Sequence, residues 1–85
     1  MNLSSEAERL LRALWQCHEH NPVNHFEYSP VDEGGEITHP ASRRRLPVEP
    51  FILDELIGAG LLRGRTQLSF TYAGMRYCQK RRRRL

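Results

Sequence analysis

Arg43-Arg44-Arg45 and Lys80-Arg81-Arg82-Arg83-Arg84 are the residues whose type and spacing bear most directly on chemistry. Three adjacent arginines cannot all be buried, so most of their charge faces water or a ligand. Five consecutive cations on a helix would ring its axis, repel one another and fray its end. Arg63 and Arg65, two positions apart, and Arg76 add to the set. An isolated basic run reads as a solvated face. Two runs with separated arginines between them point instead to a surface for phosphates, which guanidinium and ammonium groups hold through charge-assisted hydrogen bonds.

Other chemistries find less support. Cys17, His20 and His25 are three conceivable zinc ligands. Nothing downstream supplies a paired Cys-x-x-Cys or His-x-x-x-His, and solvated or hydrogen-bonded histidines are the expectation, with no metal and no cofactor. No spacing ties a serine or cysteine nucleophile to a histidine base, and no glycine-rich phosphate loop is present, so an enzyme is not expected. Cys17 and Cys78 lie on apolar helix faces, as buried free thiols in a reducing compartment; one disulfide between the terminal helices is the other option.

Charge is divided along the chain. Residues 1–42 hold two arginines against seven acids, a balance of −5, and residues 43–85 hold eleven Lys/Arg against three acids, a balance of +8. Such a dipolar chain suits a polyanionic partner for its second half. Eighty-five residues suggest one domain over 1–85, with 79–85 as a basic C-terminal tail. No run is long and apolar enough for a membrane span, and Met1–Ser5 has no signal-peptide character, so a cytoplasmic protein is expected.

The elements that must position these residues follow from periodicity. Ser4 or Ser5 opens a helix in which Ala7, Leu10, Leu11, Leu14, Cys17 and His18 form one face, with Trp15 widening it, and Asn21-Pro22 ends it. His25–Ser29 alternates, Asp32–Gly35 is turn chemistry and Glu36–His39 can return, which suggests an extra hairpin or ordered loop at 25–39. Pro30, Pro40 and Pro47 oppose a long helix there, though a short turn around Pro40–Arg44 is allowed. Leu53, Leu56 and Ile57, with Ile52 beside them, give a second helix, closed by Gly60 in the left-handed conformation. Thr66, Leu68 and Phe70 alternate with Gln67 and Ser69 as a half-buried strand. Thr71 caps a third helix with Tyr72, Met75 and Cys78 inward.

The pattern LxxLIxAGLL (Leu53 to Leu62), the strand QLSF and the helix start TYAG (Thr71–Gly74) resemble the C-terminal half of small bacterial and phage winged helix-turn-helix proteins. The likeness spans Leu46–Cys78, thirty-three of the eighty-five residues. It implies an α+β fold of winged-helix type: three helices, the middle one the recognition helix, and a short β-hairpin wing. It further implies a DNA-binding function, such as a transcriptional regulator or a phage or mobile-element accessory factor. The central helix, however, shows Glu49, Asp54 and Glu55 on its outer positions and no cation between Leu46 and Leu62. Carboxylates repel phosphate, so contacts to double-stranded DNA or another nucleic acid fall to the flanks: Arg43, Arg44, Arg45, Arg63, Arg65, Arg76, Lys80, Arg81, Arg82, Arg83 and Arg84. The alternative is a protein-binding module of phage-inhibitor or adaptor type that uses Glu49, Asp54 and Glu55 against a basic partner. The sequence leaves the oligomeric state open.

Overall fold

The computed structural model describes residues 3–83. Its first helix, α1 (Ser5–His20), starts at Ser4, whose Oγ accepts the Ala7 N–H at 3.2 Å, and ends at Asn21 ahead of Pro22. Ala7, Leu10, Leu11, Leu14 and Cys17 are its buried stripe. Strands β1 (Phe26–Pro30) and β2 (Gly35–His39) form the hairpin that the alternation and the DEGG turn suggest, in the register Tyr28↔Ile37 and Pro30↔Gly35.

A turn over 40–43 leads into β3 (Arg44–Val48), a strand that sequence reading does not anticipate. Two arginines and Pro47 look unlike a strand. Pro47 is tolerated because β3 is the outermost strand, where a missing N–H breaks no inner ladder. Helix α2 (Pro50–Gly58) therefore begins only after β3 has ended, just ahead of its apolar run, with Glu49 as N-cap and Pro50 in its first turn. Strand β4 (Leu62–Arg63), strand β5 (Gln67–Phe70) and helix α3 (Tyr72–Arg83) complete the described residues.

All strand pairs are antiparallel, in the five-stranded order β3-β2-β1-β5-β4. Alternation sends Phe26, Ile37, Val48, Leu62, Leu68 and Phe70 to one face, where they join the buried faces of the helices in one core. The opposite face carries Glu27, Glu36, Thr38, Arg45, Gln67 and Ser69 and is polar. Among the described residues the architecture is thus α+β, three helices over one face of an antiparallel sheet. A strand, β3, stands immediately before α2 where a helix-turn-helix pair would place a helix.

Two long-range ties fix the helices. Glu55 accepts the Ser4 N–H at 2.7 Å and the Ser4 hydroxyl at 2.8 Å, joining α2 to the start of α1. The Tyr77 hydroxyl donates to Glu8, joining α3 to α1. Asn24 serves as an extra rung beside β5, donating from Nδ2 to the Phe70 carbonyl at 3.1 Å and accepting the Phe70 N–H at 2.7 Å.

Candidate nucleic-acid interface

The β2–β3 corner is built around a buried histidine. Alternation along GEITH puts His39 on the inner face, 1% exposed, with its ring centroid 4.8 Å from that of Phe26. Nε2 lies 3.0 Å from the Val23 carbonyl oxygen, which can only accept, so Nε2 carries a proton. Nδ1 meets the Ser42 hydroxyl at 2.7 Å, and the Ser42 N–H donates to the His39 carbonyl at 3.2 Å. These contacts hold the turn in which Arg43 takes φ 58°, a left-handed conformation that costs a side-chain-bearing residue roughly 1–2 kcal/mol.

Arg43, Arg44 and Arg45 are all exposed. On β3 the register pairs Arg44 with His39 and Arg45 with Thr38, so the two side chains leave on opposite faces of the edge strand. The arginine run is therefore a comb straddling an edge and not a flat patch. Arg45 Nε lies 3.9 Å from Glu36, an exposed pair worth little.

The other edge carries the second set. Arg63 on β4 donates from Nε to the Ser69 hydroxyl at 3.2 Å, and Arg65 sits exposed in the β4–β5 turn. Gly64 makes that turn with φ 105°, and a Cβ there would overlap the Gln67 carbonyl oxygen. Between the edges the outer face holds Glu27, whose carboxylate lies 3.6 Å from His25, and Glu36. The face is acidic at its centre and basic at both rims, which lie about 19 Å apart at the usual strand spacing.

On α3, Arg76 and Lys80 are exposed. The Arg76 guanidinium lies 5.7 Å from the Tyr72 ring centroid and donates to the Tyr72 hydroxyl at 3.2 Å. Tyr72 itself is 75% exposed, contrary to the inward position its spacing suggests. Gly74 takes the inward place, so close to Leu61 that a Cβ there would overlap the Leu61 carbonyl oxygen. Arg81, Arg82 and Arg83 form the last turn of α3, and Arg84 lies outside the described residues.

The acids of α2 divide. Glu49 and Asp54 are exposed, whereas the carboxylate of Glu55 is engaged by Ser4. That removes Glu55 from the outward acidic set read from the sequence. Beside Asp54 a cleft of about 420 Å³ opens between α2 and the β4–β5 turn, lined by Tyr28, Pro50, Leu53, Asp54, Ile57, Gly64 and Arg65.

The histidine and cysteine positions are dispersed in role. Cys17 and Cys78 are buried free thiols, and among the described residues no group of three His, Cys, Asp or Glu is placed to hold a metal ion. The Cys78 thiol is pushed up to about 12, first by burial and then by the nearby charges of Glu8 and Glu19. His18, stacked on Trp15 at 5.1 Å, is held below its ordinary pKa by burial and by the charge of His39, with Glu19 acting in the opposite sense. Sequence reading passes over His39, Ser42 and Asn24. Only His39 carries a signal there, its inward parity with Gly35 and Ile37.

Among the described residues no helix is long and apolar enough to cross a membrane. Comparison of the chain with family models, with curated proteins and with solved structures gives no match in any of the three. What the chain defines by itself is an α+β protein with arginine-bearing rims on an antiparallel sheet.

Proposed function

We propose that this chain is a small winged-helix-like nucleic-acid-binding protein, a transcriptional regulator or phage or mobile-element accessory factor, that grips phosphates through the rims of its sheet. The observation that carries this reading is the exposure of Arg43, Arg44 and Arg45 at one rim and of Arg63 and Arg65 at the other. Among these five, and among the described residues, only Arg45 has a carboxylate within 4.0 Å. Supporting the winged-helix part is the succession of α2, the β4–β5 hairpin and α3. With β3 in front of α2 and acids on its outer side, the helix is poorly suited to base edges, so contacts go to the backbone and discriminate weakly between sequences.

A specific observation also favours a second reading, a protein partner: Phe51 is 62% exposed on α2, between Glu49 and Asp54. Electrophoretic retention of two unrelated short duplexes at low salt separates the readings. The nucleic-acid reading expects both duplexes to be retained about equally by the chain and by its Glu49→Ala/Asp54→Ala variant. The protein-partner reading expects neither to be retained and a partner to be lost in that variant.

A further inference from the structure

The outer side of α2 holds both an apolar knob and part of an apolar hole. Phe51 projects into solvent, and one stripe away Pro50, Leu53 and Ile57 form a wall of the 420 Å³ cleft. A cleft of that volume lies within the range of ordinary ligand pockets and is ample for a phenyl ring. Asp54 and Arg65 stand on its two walls, the first on α2 and the second on the β4–β5 turn. Neither has an ion-pair or side-chain hydrogen-bond partner among the described residues.

We propose that two copies of this chain pair about a two-fold axis beside α2, Phe51 of each entering the cleft of the other and Asp54 of each meeting Arg65 of the other. The commitment to a second copy rests on self-complementarity. A two-fold interface presents one patch to itself, so if residue i touches residue j then j touches i. This patch supplies both members of each contact, ring and cleft, acid and base. Charge complementarity favours a second copy, since the acid and the base that the contact needs both stand at this one cleft. The dimer keeps Arg43–Arg45 and Arg63 of both copies available to phosphate and withdraws Arg65 from that role. Its test needs no nucleic acid, and the two readings share one residue, Arg65.

Sedimentation equilibrium of the purified chain, from roughly micromolar to a few hundred micromolar, tests it. The wild type should dimerise with rising concentration. Phe51→Ala, a truncation at an exposed position, should weaken the dimer at least about tenfold, as loss of a central aromatic anchor does. Asp54→Arg alone and Arg65→Asp alone should each be monomeric, since each brings like charges together at both contacts. Mixed in equal amounts, these two variants should associate, because every 54–65 contact then joins opposite charges. Circular dichroism establishes that each variant is folded. A wild type that stays monomeric throughout, a dimer indifferent to Phe51→Ala, or folded charge variants that fail to associate on mixing would each overturn the proposal.

Discussion

The junction where α2 gives way to β4 and the corner where β2 turns into β3 are both sharp turns beside the core, and they are held by opposite means. At the junction backbone meets backbone. Gly60 takes φ 77°, the Leu61 N–H reaches back to the Leu56 carbonyl at 3.1 Å, and the Gly60 N–H to that of Ile57 at 3.0 Å, which is the Schellman closure of a helix. Thr71 then donates its N–H to the Leu61 carbonyl at 3.1 Å and its hydroxyl to the Gly60 carbonyl at 2.5 Å, while that hydroxyl accepts the Gly74 N–H at 2.9 Å. At the corner a side chain, His39, holds the turn through its two ring nitrogens, beside one backbone bond from the Ser42 N–H. At Gly74 the junction leaves no room for a side chain. The corner leaves its outward positions unconstrained, and arginines occupy them.

That contrast breaks most visibly at Gly74. A Cβ there would overlap the Leu61 carbonyl oxygen, and neither backbone can yield without tearing the Thr71 cap. Gly74→Ala should cost about 4 kcal/mol or prevent folding, in the exceptional range for one substitution. Gly58→Ala, where nothing lies within 4 Å, is the matched control. Urea unfolding should show it unchanged or stabilised by up to about 1 kcal/mol.

A smaller loss is expected at the corner. Ser42→Ala leaves a buried His39 ring nitrogen without its partner, at about 1–3 kcal/mol by the same measurement. An unaltered unfolding midpoint would mean that the turn is held by its backbone alone and that the contrast fails.

Two pH slopes of opposite sign sharpen the picture of the core between these regions. Up to about pH 9 the Cys78 thiol is protonated whether the chain is folded or not. From there to about 12 the unfolded chain releases the proton and the folded chain keeps it, so stability falls as pH rises. Cys78→Ala should flatten that alkaline loss. His18 acts at the acid end. Its folded pKa lies below 6.5, so below that pH the unfolded chain binds the proton more readily and stability falls as pH falls. His18→Gln should flatten the acid slope slightly.

The smallest effect on stability belongs to the arginines. Replacing Arg43, Arg44 and Arg45 together with alanine should move the unfolding free energy by no more than about 0.5 kcal/mol per site, since all three are exposed.

What the sequence makes legible divides along the same line. Gly60 and Thr71 act on their immediate neighbours, so the helix stop and the cap can be read from local chemistry, as can the DEGG turn between β1 and β2. The inward leucines and Phe70 follow from periodicity. Strand β3 is hidden because Pro47 and two arginines contradict strand composition, and only its position at the sheet's edge permits them. Glu55 reads as outward because its partner Ser4 is fifty-one residues away. Tyr72 reads as inward because a helical stripe gives no hint that Gly74 closes on Leu61. Of the candidate site, the identity of the arginines is visible in the sequence. Their division between two rims, with acids between, requires the sheet.

The most direct test of phosphate gripping at the rims is the salt dependence of affinity for a labelled duplex, followed by fluorescence anisotropy. For the wild type, log K should fall linearly with log salt. The Arg43→Ala/Arg44→Ala/Arg45→Ala variant should bind more weakly, by about the same factor on unrelated sequences. Its slope should be shallower by up to about 0.9 for each phosphate that it no longer reaches. No binding by the wild type even at about 50 mM salt, or a slope that the triple substitution leaves unchanged, would contradict the account.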